Sequence, residues 1–144
     1  MEWLRDDGHL VSDDQTRIDL AQTHQWLSNQ YWALGRSHEI VSKAIENSVA
    51  LALVNPEGEQ VGFARWATDR AVIAMLCDVF VAPEYRGRGL GKFIVASAVA
   101  HPDVAGSSCA FWSPATPTAS TSSPGSKRWP VPNYGWNCVI RFDV

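Results

Sequence analysis

The sequence predicts an α+β domain built around a mostly antiparallel sheet flanked by helices. Three observations carry this. Two segments before residue 47 space their apolar residues as helices do. Three strand-like runs, separated by turn residues, follow between 48 and 82. A glycine-rich segment after residue 86 then opens a third helix.

In chain order, Gly8–Ser12 is a first strand, and Asp13 or Asp14 caps the helix after it. Ile18, Leu20, Ala21, Trp26 and Leu27 mark that helix as amphipathic over 16–30. Ser37 is an N-cap for a helix over 38–46, with Ile40, Val41, Ala44 and Ile45 as its stripe. Ser48–Val54 is a continuous apolar strand, and Asn55-Pro56-Glu57-Gly58 is turn chemistry. Gln60–Thr68 returns as its antiparallel partner. A turn near Asp69-Arg70 leads to a strand from Val72 to Ala82, and Pro83 ends it before a helix over 89–101.

The 144 residues, 46% of them hydrophobic, amount to one domain and argue against wholesale disorder. No apolar run approaches the roughly 20 residues of a membrane helix. The acidic start, Met1 to Asp7, lacks an apolar signal segment. A net charge of −3 argues against a nucleic-acid partner held by phosphate contacts. Cys77, Cys109 and Cys138 form neither a disulfide framework nor a metal-binding pair, so a reducing cytoplasm and no metal are expected.

These averages conceal a seam near Gly106. Residues 1–106 hold 9 of the 12 basic and 14 of the 15 acidic residues, a formal −5, while 107–144 carry +2. The second part also holds five of the eight prolines and a Ser/Thr/Pro/Ala run from Ser113 to Ser126. The chain therefore divides into a core over 1–106 and an atypical Pro/Ser/Thr-rich tail over 107–144.

The segment with the clearest chemistry is Val79-Phe80-Val81-Ala82-Pro83-Glu84-Tyr85-Arg86-Gly87-Arg88-Gly89-Leu90-Gly91-Lys92. A buried strand runs into a turn, and glycines alternate as the chain enters a helix. Glycine lets the backbone approach a bulky anion, and unpaired N–H groups at a helix start favour phosphate. Arg86, Arg88 and Lys92 add positive charge, so the segment reads as a pyrophosphate cradle. Lys92 is followed by Phe93, which excludes a Walker loop. Glycines spaced by two exclude the dinucleotide fingerprint.

Arg86-Gly87-Arg88-Gly89-Leu90-Gly91 fits the R/Q-x-x-G-x-G/A signature of the GCN5-related N-acetyltransferases (GNAT), and Val79-Phe80-Val81-x-Pro83 fits that family's fourth strand. The resemblance covers about residues 8–106. Tyr31-Trp32-Ala33-x-Gly35-Arg36, Glu46-Asn47-Ser48 and Gln60–Arg65 make it similar to small bacterial members. It implies a GNAT-like sheet and acetyl-CoA as cosubstrate. It implies that the backbone of Val79, Phe80 and Val81 holds the pantetheine arm and acetyl carbonyl. The amides of Arg86, Gly87, Arg88, Gly89, Leu90, Gly91 and Lys92 would hold the pyrophosphate.

The implied reaction moves an acetyl group to a primary amine. Such an amine, with a pKa of roughly 10.4, must lose a proton before it attacks. Asp78, beside the backbone that would hold the acetyl group, is the first candidate for a base or amine-binding carboxylate. The alternative is a carboxylate on the strand's solvated side. Tyr31, Trp32 and Arg36 are candidates for shaping the acceptor pocket, with Trp32 also suited to packing. His38 and His101 read as a helix-start residue and a helix-end charge partner.

The family continues after its third helix with a fifth strand, a helix carrying a tyrosine that commonly protonates the leaving thiolate, and a sixth strand. Residues 107–144 show no such pattern. Codons permitted for 115–137, read one base earlier, restore much of it. Ala115-Thr116-Pro117-Thr118-Ala119 can yield Arg-Asp-Ala-His-Gly, and Ser120-Thr121-Ser122-Ser123 can yield Leu-Tyr-Glu-Gln. Pro124 cannot yield the family's Phe. A tail translated out of frame from about residue 107 is the reading this supports; the rival is a divergent, functional C-terminus. Either way the C-terminal strands and helix are expected to be missing or non-native. The fourth strand is then expected to lose its neighbour, with weak or absent acetyl transfer. A CoA-binding module without catalysis and an inactive remnant are the alternatives.

Overall fold

A computed structural model describes residues 1–31, 33–105, 107 and 109–112. Six strands form one sheet in sequence order: β1 (Glu2–Leu4), β2 (Leu10–Ser12), β3 (Val49–Val54), β4 (Gln60–Thr68), β5 (Ile73–Val81) and β6 (Cys109–Trp112). Neighbours from β1 to β5 are antiparallel, and β5 and β6 are parallel. Helices α1 (Leu20–Ser28), α2 (His38–Glu46), α3 (Leu90–Val99) and the single turn α4 (Pro102–Ala105) complete the fold.

Alternation along the strands builds two apolar clusters. On one face Val49, Leu51, Leu53, Ala64, Trp66 and Leu76 pack against Leu90, Ile94, Val95 and Ala98 of α3. On the other, Ala50 and Phe63 meet Leu27 of α1 and Val41 and Ile45 of α2. Each fully buried aliphatic side chain contributes about 1.5–3 kcal/mol. Two polar groups are placed inside without loss of hydrogen bonds. The Trp66 indole N–H donates to the Ala98 carbonyl at 2.8 Å. The Gln60 amide donates to Thr23 Oγ1 and the Gly62 carbonyl while its oxygen accepts from the Asp19 N–H.

Gly62 lies opposite Val81 on the β4–β5 ladder. A Cβ there would lie 2.8 Å from the Phe80 carbonyl oxygen and 3.0 Å from Leu53 Cδ2. A backbone oxygen in a paired strand has little room to yield. Gly62→Ala is therefore expected to lower stability by about 1–3 kcal/mol through overpacking, read as a reduced urea midpoint.

The helix over 38–46 and the strand over 60–68 lie where the sequence places them, and Ser37 accepts the Ile40 N–H as a cap. The expected helix over 16–30 is two elements. Asp14 caps a short 3-10 turn over Gln15–Arg17, then the chain extends at Ile18, and Asp19 caps α1 through the Gln22 N–H. A second capping carboxylate restarts the helix, so the apolar periodicity runs across a break. The first strand is shorter than expected, and β1 precedes it.

The expected loss of β5's neighbour is corrected over part of its length. Cys109–Trp112, the start of the atypical tail, runs parallel to β5 and pairs Ile73 with Cys109 through Leu76 with Trp112. From Cys77 to Val81, β5 has no ladder partner on that side among the described residues.

The β4–β5 turn is held by Asp69, whose Oδ1 accepts N–H groups from Ala71, Val72 and Ile73 at 2.9–3.0 Å. The bond from Ile73, then those from Ala71 and Val72, hold its pKa below the ordinary 3.8. A depressed carboxylate pKa contributes stability that is fully present above the unfolded value and lost as pH falls through the folded one. Asp69→Asn is thus expected to flatten the fall of Tm with pH below about 3.8, measured by thermal melts from pH 5 to 3.

Candidate active site

At the end of β5 a 3-10 turn over Pro83–Tyr85 delivers the chain to the glycine-rich loop. Gly87 and Gly89 have φ of 76° and 77°, in the left-handed region that glycine enters at little cost. Gly89 is the N-cap of α3 and provides no side-chain acceptor, so among the described residues no side chain caps the first N–H groups of α3. A Cβ on Gly87 would meet nothing within 4 Å among the described residues. Leu90, 1% exposed, anchors the helix in the core while residues 86–89 stay exposed.

The cations of the loop are not equivalent. Arg86 turns back on the strand: its Nε donates to the Val81 carbonyl at 3.0 Å, and its guanidinium lies 5.6 Å from the Phe80 ring centre. Arg88 lies over the Tyr85 ring at 5.2 Å, and Lys92 is exposed on the first turn of α3. Arg5 joins them from the N-terminal hairpin. Its Nη2 donates to the Arg88 carbonyl at 2.9 Å, and the guanidinium would lie 3.8 Å from a Cβ on Gly89. Sequence reasoning missed Arg5, because only pairing of β1 with β2 carries it to a loop 83 positions away.

Asp78 occupies a bulge. Phe63 pairs with Phe80 and Arg65 with Cys77, so β5 holds one residue more than β4 across this interval. Asp78 itself has a φ of 53°, a conformation in which aspartate is among the better tolerated side chains. The bulge turns its carboxylate toward the α1–α2 side. There Arg36 Nη1 donates to Oδ1 and Oδ2 at 2.9 and 3.1 Å, and Arg65 Nε donates to Oδ2 at 2.6 Å. Arg65 Nη1 also donates to Ser48 Oγ at 3.1 Å. The Asp78 side chain is 3% exposed, that of Arg65 14% and that of Arg36 32%.

Asp78 therefore does not lie on the solvated side of its strand, and both of its oxygens accept from arginines. As placed, it is the hub of a buried ion-pair cluster. Arg36 is in the α1–α2 connection, where its carbonyl contacts His24 Nε2 at 2.9 Å; His24 packs edge-on against His38. A cavity of about 130 Å³ adjoins the cluster, with Leu27, Ile40, Val41, Ile45 and Phe63 among its walls and Arg36, Arg65 and Asp78 at its polar end. Tyr31 is half exposed in the same connection and does not line the cavity. Trp32 lies outside the described residues. Arg65, the one charged residue of β4, was the available signal for the second arm of the cluster.

Val79, Phe80 and Val81 lie in the half of β5 whose ladder partner among the described residues is β4 alone. Phe80 stacks on Trp26 with ring centres 5.1 Å apart, and the Val81 carbonyl is engaged by Arg86. Burial pushes the pKa of the neighbouring Cys77 thiol up, which keeps it neutral near pH 7. His101, two residues after α3 ends, has its Nε2 3.1 Å from Asp13 Oδ2. Among the described residues no three His, Cys, Asp or Glu side chains form a metal-binding group, and no helix is long and apolar enough to cross a membrane.

Parallel β5 and β6 thus lie in the same fold as a glycine–arginine helix entry. The family model for the acetyltransferase (GNAT) domain matches residues 46–120. The chain belongs to the GNAT family. A solved GNAT-family structure from Xanthomonas campestris pv. campestris, assigned as an acetyltransferase, is 30% identical, with 88% of this chain and 96% of that one aligned at a TM-score of 0.69. Glucosamine-6-phosphate N-acetyltransferase from Arabidopsis thaliana shares the fold at 13% identity, with 85% and 99% covered and a TM-score of 0.53. A curated Gibberella zeae protein assigned as an acetyltransferase is 27% identical over 112 residues. The match spans 65% of this chain and 63% of that relative.

Proposed function

We propose that this chain is an acetyl-CoA-dependent N-acetyltransferase acting on a primary amine. One observation carries the reading. The start of α3, with Gly87 and Gly89 at positive φ and Arg5, Arg88 and Lys92 around it, lies one turn from the end of β5, which on its β6 side has no ladder partner among the described residues.

In this reading the amides from Arg86 to Lys92 hold the pyrophosphate, and backbone groups of Val79 to Val81 orient the pantetheine and acetyl carbonyl. Acetyl-CoA supplies an activated thioester. The amine nitrogen forms the new C–N bond as the C–S bond breaks, and the amine's proton and the thiolate's proton both need carriers. A backbone N–H of β5 directed at the carbonyl oxygen contributes about 10²–10³ in rate. Asp78 acts in this scheme by fixing Arg36 and Arg65 at the acceptor pocket. With both oxygens engaged, it leaves amine deprotonation to water. A cytoplasmic location accords with this reading and with the unbridged Cys77.

A second reading is a CoA-binding module without turnover, favoured by the engaged Asp78 and by a tail that lacks the family's tyrosine pattern. The codon reading of residues 115–137 supports a tail translated out of frame, with a divergent, functional C-terminus as the rival; on the first reading transfer is expected to be weak or absent. An amine panel with acetyl-CoA, read by mass spectrometry, separates the two: acetylated product supports the enzyme, and binding without product supports the module. Sequencing the gene tests the tail, since a second frame lacking the Arg-Asp-Ala-His-Gly-Leu-Tyr-Glu-like sequence rules out the frameshift.

A further inference from the structure

Cations gather at the end of α3 where a helix disfavours them. A helix N-terminus carries about half a positive charge, so basic side chains are favoured at the opposite end. Arg88 and Lys92 lie at this start without a carboxylate partner among the described residues. Arg5 adds a further cation from outside the loop. Both of its Nη atoms would lie 3.8 Å from a Cβ on Gly89, the N-cap of α3. Like charges held together at the positive end of a helix dipole are offset by an anion bound among them.

A closed turn holds Arg5 in this place. Its N–H donates to the His9 carbonyl and its own carbonyl accepts the Gly8 N–H, each at 2.9 Å. Gly8 has a φ of 86°, and a Cβ on it would lie 3.1 Å from Pro56 Cγ, so the turn rests closely on the β3–β4 connection. The buried His9 packs edge-on against Tyr85 with ring centres 6.2 Å apart, and Arg88 lies over the same Tyr85 ring. The hairpin thus presents its guanidinium already oriented, which lowers the ordering cost of binding.

The donors of Arg5 are only partly used. Nη2 donates to the Arg88 carbonyl at 2.9 Å, and Nε lies 3.5 Å from Asp7 Oδ2. Nη1 has no partner among the described residues, and the side chain is one-third exposed. Asp7 also lies 3.0 Å from His9 Nδ1 and is itself 44% exposed, so it offsets part of the charge of Arg5 and leaves the rest. A guanidinium with an open edge, next to the first amides of a helix, suits a phosphate oxygen. Arg5 lies well before residues 46–120, which the family model matches.

We propose that Arg5 is a phosphate-binding residue of the acyl-CoA site, supplied by the N-terminal hairpin, and that Asp7 holds its affinity down. This rests on the acyl-CoA reading of the glycine loop. The group bound is a phosphate of CoA, either the diphosphate or the ribose 3′-phosphate.

The test is calorimetry of CoA and of dephospho-CoA, which lacks only the 3′-phosphate, on the full chain and two variants, with melts to show that each folds. Arg5→Gln is expected to weaken CoA about tenfold or more. It is also expected to reduce the loss of affinity that about 0.5 M NaCl causes in the parent, because one screened charge is gone. An equal loss for dephospho-CoA supports contact with the diphosphate; a loss confined to CoA supports contact with the 3′-phosphate. Asp7→Asn removes the opposing charge, while its amide oxygen can still accept the His9 N–H. It is expected to tighten CoA about threefold at low salt. If Arg5 only props the loop through the Arg88 carbonyl, losing Asp7 frees the guanidinium and weakens CoA instead. Asp7→Asn also decides the matter if Arg5→Gln fails to fold. Unchanged affinity or unchanged salt dependence in Arg5→Gln, or unchanged or weaker binding in Asp7→Asn, overturns the proposal and leaves the acyl-CoA reading standing. A parent chain that binds no CoA overturns both.

Discussion

Replacing Asp78 by alanine is expected to destabilise the chain more than any other single change at the candidate site. The substitution leaves Arg65, whose side chain is 14% exposed, and Arg36 facing one another without the carboxylate that joins them. Breaking a buried ion pair from one side costs about 3–5 kcal/mol, because the remaining charge is desolvated and unpaired. Since Arg36 is one-third exposed, the lower end applies, about 3 kcal/mol. For a chain of this size that lowers Tm by roughly 10 °C. The backbone adds to the effect, because alanine at a φ of 53° tolerates the bulge less well than aspartate. Thermal melts provide the measurement. A loss below about 1 kcal/mol would mean that the cluster is solvated and contributes little, as exposed ion pairs do.

The second large effect falls on cosubstrate binding. Gly89→Val places a β-branched side chain at a φ of 77°, where such residues are genuine outliers. The strain is of order 1–3 kcal/mol. Its Cβ also enters the space before the first amides of α3, beside the Arg5 guanidinium at 3.8 Å. Together these are expected to weaken CoA at least a hundredfold, measured by calorimetry. Stability is expected to change less than affinity, since residues 86–89 are exposed and Leu90 keeps its place in the core. If the variant binds CoA as the parent does, the pyrophosphate does not sit at this helix start.

Much of the fold was legible because local chemistry and packing agree. Ser37 with its apolar stripe specifies α2, and Asn55-Pro56-Glu57-Gly58 between two apolar runs specifies the β3–β4 hairpin. The glycine loop was legible for the same reason: alternating glycines and cations constrain both backbone and charge within seven residues. The acceptor side was not. Arg36 and Asp78 are 42 positions apart, and they meet only because a bulge turns the carboxylate toward α1 and α2. Nothing in the run Leu76-Cys77-Asp78-Val79 indicates that extra residue. Asp19 restarts a helix whose periodicity looks continuous, because a capping carboxylate and an apolar stripe are compatible on either side of a break. Composition groups Cys109–Trp112 with the proline-rich stretch after it, although a four-residue apolar run suffices to pair with β5.

The central claim is that a GNAT family core ending in an unusual tail keeps its acyl-CoA site at the start of α3. Calorimetric titration of acetyl-CoA into the 144-residue chain, paired with thermal melts, tests it most directly. The predicted result is one saturable site and a Tm that rises with ligand, reaching about 2.7 kcal/mol of added stability at a hundredfold excess over Kd. No binding heat together with an unchanged melt at millimolar acetyl-CoA would contradict it.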